Sequence, residues 1–286
     1  MQRPFRHASV ADHSLSRPDF VEEDGSPTWI TRGVNFVIAV TRVGAGTRLA
    51  VDNVPDEHFV LLPDVGARIR IDGEIIGIEA NHLLIVPPGD AELFTDGPGL
   101  VVRCFSARKT DLLGRAGNAA AYGEPREEVA PIADWPAPVG GFGLRVYDLA
   151  EGLADGDKTR VYRSSNMMIN VLRERQVARD TRTMSPHFHT DFEQGSITLS
   201  GVHVHYLRTP WVPDMSVWRP DEAVEVGSPS VTVIPPPIIH TTRNLGDGPA
   251  LLVDLFCPPR ADFSLRAGMV RNAAEYPLPP DLGEAK

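Results

Sequence analysis

Little in these 286 residues points to a membrane, a nucleic acid or an oxidising compartment. No run approaches the roughly 20 apolar residues of a membrane-spanning helix. The opening stretch, MQRPFRHASVADHSLSRPDF, is polar and broken by Pro4 and Pro18, without the apolar core of a secretory signal. Basic residues number 28 against 38 acidic ones, and the formal net charge of −10 is spread along the chain. A nucleic acid or an anionic membrane surface would want a basic face, so neither is expected as a partner. Only two cysteines occur, Cys104 and Cys257, each inside an apolar run (VVRCFS and LLVDLFC). Buried free thiols are therefore expected rather than a disulfide. The cytoplasm is the expected location.

Helical periodicity is also scarce, with short helices expected only near 107–121 and 270–276. What the chain has in quantity is punctuation: 26 prolines and 25 glycines. Between them lie short β-branched runs such as NFVIAVTRV, EHFVLL, HLLIVPP, MMINVLRE, GSITLSG, VHVHYL and SVTVIPP. Runs of this length bounded by turn residues predict an all-β sandwich or barrel.

The unit occurs twice. LLIVPPGDAELFTDGPGLVVRCFS, from Leu83 to Ser106, is echoed by VTVIPPPIIHTTRNLGDGPALLVDLFC, from Val231 to Cys257. Each is an apolar strand, a Pro-Pro turn, a polar stretch, an Asp-Gly-Pro turn and a second apolar strand. Upstream, Thr31 to Asn35 before FVIAV resembles Tyr162 to Asn166 before MMINV, and Glu57 falls where Glu193 stands. Two copies of one fold are predicted, 1–130 and 131–286, joined across the proline-rich stretch 125–141.

Chemistry is readable in the second copy. SPHFHTDFEQGSITLSG places His187, His189 and Glu193 as H-x-H-x3-E before a strand. The two histidines share a face of an extended chain, and Glu193 keeps that parity if the chain stays extended. His240, just after a second strand and turn, would complete three imidazoles and one carboxylate. Such a mixed N/O set suits Fe(II), Mn(II), Ni(II), Cu(II) or Zn(II), and the absence of thiolates argues against a closed structural zinc site.

The two segments resemble the paired motifs of the cupin superfamily, G-x5-H-x-H-x3,4-E-x6-G and G-x5-P-x-G-x2-H-x3-N. His187, His189, Glu193 and, one residue late, Gly201 meet the first, whose leading glycine is missing. Gly227, Pro235, His240 and Asn244 meet the second, with seven residues after the glycine and Pro237 in place of the inner glycine. The resemblance implies two tandem cupin jelly-roll barrels, with one divalent transition metal in the C-terminal barrel. In the first copy Val51, Asn53 and Glu92 align with the histidines, and His58 and His82 fall off register, so that site is expected to be lost.

His203 and His205 share one face of the next strand and could line a pocket, or lie on an exposed sheet face; Tyr206 takes the other side. Arg163, Arg173, Arg175 and Arg243 lie on or beside predicted strands, where an inward guanidinium would hold a substrate carboxylate. The insertion 208–222, with Trp211 and Trp218, reads as a lid or as a subunit contact. The chain is expected to be an enzyme acting on a small organic acid. An Fe(II) dioxygenase with a partly apolar pocket is favoured over a non-redox isomerase, lyase or decarboxylase, and over a ligand-binding protein without catalysis. Homo-oligomerisation is expected from exposed barrel edges. No catalytic acid or base is assigned.

Overall fold

Apolar residues alternating between frequent turns can be buried only as short strands, and short strands make up the fold. The computed structural model describes residues 5–151, 153–154 and 156–283. The chain opens with β1 (Ser9–Asp12), β2 (Phe20–Val21), β3 (Pro27–Arg32) and β4 (Phe36–Val43). Then come β5 (Arg48–Val54), β6 (His58–Leu62), β7 (Ala67–Ile71) and β8 (Glu74–Ile78). The first half closes with β9 (His82–Val86), β10 (Gly89–Thr95) and β11 (Gly99–Ser106). The second half begins with β12 (Arg145–Asp148), β13 (Thr159–Arg163), β14 (Met168–Leu172) and β15 (Gln194–Ser200). It continues through β16 (Val202–Arg208), β17 (Glu222–Val226), β18 (Ser230–Ile234), β19 (Ile239–Leu245) and β20 (Leu251–Phe256). Single turns of 3-10 helix at Thr110–Arg115 and Ala119–Tyr122 fill the first stretch expected to be helical. Turns occupy 271–275, and the short helix of this region lies earlier, at Ala261–Ser264. Among the described residues no helix is long and apolar enough to cross a membrane.

Each copy is a jelly-roll barrel made of one large and one small antiparallel sheet. The first pairs β12-β9-β6-β11-β4-β3-β2 with β5-β10-β7-β8, and the second pairs β1-β18-β15-β20-β14-β13 with β17-β16-β19. Two strands cross the expected boundary between residues 130 and 131. β1 adds to β18 of the second barrel, with Ser9 opposite Val233, and β12 adds to β9 of the first, with Arg145 opposite Ile85. Each barrel thus lends the other an edge strand, which leaves fewer open edges. The cut at residue 130 remains our proposed division of the chain.

The two large sheets face one another. Phe36, Ile38, Phe59 and Leu61 of the first pack with Ile169, Ile197, Val231 and Val253 of the second in one buried cluster. Packing is close enough that a Cβ on Gly195 would stand 2.8 Å from the Ile38 side chain. Cys104 and Cys257 lie in this layer as free, buried thiols, as expected.

The barrel interiors differ. Inside the first, Leu49, Val60, Leu62, Ile69, Leu84 and Leu93 form an apolar filling. In the second, β15 carries buried Ser196 and Thr198, β18 carries Ser230 and Thr232, and β16 carries His203 and His205. The hydroxyls of Thr198, Ser230 and Thr232, His203 Nδ1 and His205 Nε2 lack protein partners although buried. A polar interior of this kind marks the barrel that handles a polar ligand or ordered water.

Six buried histidines have depressed pKa values, in every case chiefly from burial: His13, His203 and His240 to about 4, and His58, His189 and His205 to about 3. The unfolded chain takes up protons as pH falls through about 6.5, whereas the folded chain refuses them until about 4 or below. Stability is therefore complete above that upper value and is lost on acidification between the two. Each imidazole contributes up to about 1.4 kcal/mol per pH unit within this window. Thermal unfolding of metal-free protein should show a midpoint that drops steeply from pH 6.5 to 4.5. A midpoint independent of pH there would mean that these imidazoles are not held neutral in the fold.

Candidate metal centre

β19 starts at Ile239, so His240 is its second residue, and the H-x-H segment docks against it as β5 docks on β10 in the first barrel. The dock is a two-bond bridge: His187 N–H donates to His240 O at 3.0 Å, and His240 N–H donates to His187 O at 2.8 Å. The two-residue spacing brings His189 to the same side. Ring centroids lie 4.4 Å apart for His187 and His240, 5.1 Å for His189 and His240, and 5.2 Å for His187 and His189. One potential ligand atom from each ring lies within 4.8 Å of the others.

Second contacts set the rings for ligation. His187 Nδ1 lies 3.0 Å from Ser185 O and His240 Nδ1 lies 2.9 Å from Ile238 O. A carbonyl can only accept, so Nδ1 carries the proton and Nε2 keeps its lone pair. Burial holds the pKa of His189 and His240 far below neutrality, and nearby Arg260 and fellow histidines push the same way. Three imidazoles grouped in this way, two of them held neutral by burial, fit a divalent transition metal.

The fourth expected ligand, Glu193, is not brought to this cluster. The chain bends at Thr190 and Asp191, and β15 begins only at Gln194. The parity that an unbroken strand would have kept is thereby lost. Glu193 turns into the contact between barrels, where its Oε1 pairs with Arg6 at 2.5 Å and its Oε2 accepts Val34 N–H at 2.5 Å. Tyr122 OH donates to Oε1 at 3.3 Å. Gln194 takes the place beside the rings, its Oε1 lying 3.0 Å from His189 Nε2 and 3.3 Å from His240 Nε2. The amide nitrogen is held away by Ser196 Oγ and Asp254 Oδ1, at 2.9 and 3.0 Å.

Glu57 does in the first barrel what Glu193 does in the second. Its Oε2 accepts Ser165 N–H at 2.9 Å and its Oε1 accepts Tyr276 OH at 2.8 Å, with Arg145 at 3.9 Å. Glu92, aligned with His240, is bound instead by Arg48 and Arg70. His58 is fully buried and stacked on Phe105, while His82 bonds Ala80 O. Among the described residues only His187, His189 and His240 form a cluster able to hold a metal.

No family model matches the sequence, and no curated protein does. Solved structures match over both barrels. Oxalate decarboxylase from Lactobacillus farciminis, in a formate complex, superposes with a TM-score of 0.58 at 13% identity, covering 88% of this chain and 86% of that one. A mutant of Bacillus subtilis oxalate decarboxylase gives 0.57 at 14% identity, over 92% and 82%. AerE from Microcystis aeruginosa gives 0.52 at 10%, over 81% and 92%. The chain is a bicupin by fold.

In this bicupin His187 is the member of the triad that lines a cavity of about 480 Å³. His187, Gln194, Asp254 and Arg260 line one part, and Lys158, Arg173, Arg175 and Arg179 another. Asp254 accepts Ser196 Oγ–H at 2.7 Å, and burial pushes its carboxyl up to about 6 against the pull of that hydrogen bond. Two of the four arginines singled out in the sequence therefore reach the cavity. Arg163 does not: it is buried against Trp135 and bonded to the Tyr276 carbonyl. Arg243 donates to Arg179 O at 3.0 Å. His203 and His205 face the barrel interior rather than solvent, and Tyr206 takes the outer face. Trp211 and Trp218 stack on each other 5.3 Å apart and line no part of this cavity.

Gln194 and Asp254 were missed by motif reasoning, but each left a signal. Gln194 is the first residue of a strand whose inward side is Gln194, Ser196 and Thr198. Asp254 is the lone charge in LLVDLF, an apolar run that admits a carboxylate only where something polar awaits it.

Glu193→Ala should cost about 2–4 kcal/mol of stability, through an orphaned Val34 N–H and an Arg6 left with Glu128 alone, and leave metal stoichiometry unchanged. Glu57→Ala, its counterpart across the interface, should behave alike. Gln194→Ala should weaken metal binding about 10–100-fold with little change in stability. Elemental analysis and metal titration decide the matter: loss of metal in Glu193→Ala but not in Glu57→Ala would restore Glu193 as a ligand.

Proposed function

We propose that this bicupin is a metal-dependent enzyme that acts on a small organic acid by non-redox chemistry at or beside a carboxylate, as a decarboxylase or lyase. The observation that carries the proposal is the set of arginines lining a cavity that reaches the histidine triad at His187. His187, His189, His240 and the Gln194 carbonyl oxygen would hold the metal, all as neutral ligands. When bound, a divalent metal supplies Lewis-acid polarisation of a carboxylate or carbonyl.

The chain's own residues supply the rest. Arg260, clamped by Asp262 at 2.6 Å and stacked over Phe263 at 3.7 Å, is a fixed positive charge near the rings. It favours an anion in the cavity and disfavours protonation of the imidazoles. Asp254, held by Ser196 and Gln194, is placed to exchange a proton with a bound substrate. The solved structures of oxalate decarboxylase share the fold with this chain and lend the reading their company.

A dioxygenase is the second reading, favoured by a three-histidine centre that leaves room for both substrate and O2. Phe192 and Phe256 do pack on His189, but the tryptophans expected to roof an aromatic pocket lie elsewhere and arginines line the cavity.

Metal-reconstituted protein should be screened against short keto, hydroxy and dicarboxylic acids, with and without O2. Turnover that persists anaerobically, and is abolished in the His187→Ala/His240→Ala variant, supports the proposal. Turnover that stops without O2 and consumes it stoichiometrically would replace the proposal with the dioxygenase. Asp254→Asn should retain metal and lower turnover about 100-fold or more.

A further inference from the structure

The cavity has two basic poles, and the metal-centred reading uses only one. Arg260 stands by the triad with its charge met by Asp262. The other pole is the rim where the segment before β13 meets the end of β14, bringing Lys158, Arg173, Arg175 and Arg179 to one wall. Asn170 lies opposite Asp254 in the β14–β20 ladder. Arg173 is three residues further along, which sets the rim about 10 Å from the level of Asp254 by strand rise.

The rim charges are oriented but not neutralised. Arg173 donates to the Asp157 and Ala154 carbonyls at 2.8 and 2.7 Å. Arg179 donates to the Thr242 and Thr183 carbonyls at 3.0 and 2.9 Å, and to Ser185 Oγ at 3.0 Å. Carbonyls fix where a guanidinium points and leave its positive charge intact. Two carboxylates share this wall: Asp157, which pairs with Arg271 at 2.6 Å and also feels Arg173, and Glu174, which accepts from Gln176 at 2.6 Å, so four cations face two anions. Among the described residues, none of the four rim cations makes an ion pair. Like charges crowded around a concave wall focus a positive potential into it, which a second anionic group would satisfy.

We propose that the substrate carries two anionic groups, one bound at the triad end and one at this rim. It is an elongated diacid, whose distal group is a carboxylate or a phosphate-type oxyanion. The inference rests on the cavity being the active site, and it goes further by setting the length and charge of what the site takes.

Calorimetric titration of protein loaded with zinc tests it, using butyrate, oxalate, glutarate, adipate and phosphonobutyrate at one fixed ionic strength. Glutarate or adipate should bind about tenfold or more tightly than butyrate, and more tightly than oxalate. Tighter binding of phosphonobutyrate than of glutarate would assign the distal group to the phosphate type, and the reverse to a carboxylate. In the double variant Lys158→Gln/Arg175→Gln, at two exposed positions, the preference should vanish while butyrate affinity and zinc content hold. Diacids that bind no better than butyrate, or a preference that survives in the double variant, would overturn the inference and leave the organic-acid reading standing. Failure of every acid to bind fully zinc-loaded protein would overturn both.

Discussion

The way the two barrels meet depends on a pair of buried glutamates, one from each. Glu57 accepts the N–H of Ser165, in the β13–β14 turn of the second barrel; Glu193 accepts the N–H of Val34, in the β3–β4 turn of the first. A tyrosine completes each contact, Tyr276 for Glu57 and Tyr122 for Glu193, and an arginine attends each, Arg145 and Arg6. A buried carboxylate would be costly alone, and here the turn N–H, the phenol and the guanidinium answer it. The turn must come close to do so: a Cβ on Gly33 would stand 2.6 Å from Glu193 Oε2. Because Glu193 is pinned outward to the interface, the next residue in the strand points inward. The position of Gln194 beside His189 and His240 is a consequence of the clamp.

The same repeat explains why one barrel has a site and the other has none. Where the second interior presents Gln194, Ser196, Thr198, Thr232 and Asp254, the corresponding layers of the first are filled by Val60, Leu62, Leu84 and Val86. An apolar interior supplies stability and holds no ion; a polar one forgoes part of that stability and needs a ligand or water to satisfy its hydroxyls. The first barrel, through β12 and the shared apolar layer, is the rigid base against which the second can keep such an interior.

Much of this was legible in the sequence, because it rests on local patterns. Turn spacing announced the strands, the echo of LLIVPP in VTVIPP announced two copies, and H-x-H with His240 announced the triad. What could not be read was where an extended segment stops being extended. Glu193 was placed at the metal by counting parity through Thr190 and Asp191, and the bend there reversed it. The alignment of Glu57 with Glu193 held the correction: a glutamate kept in a barrel with no histidines to accompany it is serving something other than a metal. The exchange of β1 and β12 also escaped, since pairing of Ser9 with Val233 and of Arg145 with Ile85 leaves no local trace.

The departure from a carboxylate ligand has a chemical consequence. A glutamate would cancel one of the two charges of a divalent ion, whereas Gln194 cancels none. The full dipositive charge would then face a cavity whose far rim carries Lys158, Arg173, Arg175 and Arg179. On the function proposed above, what binds there supplies negative charge to both ends. An anionic ligand is then the last member of the electrostatic set, and a neutral one would leave both metal and rim uncompensated. Under the proposed function, substrate selection begins with that imbalance, before any contact of shape.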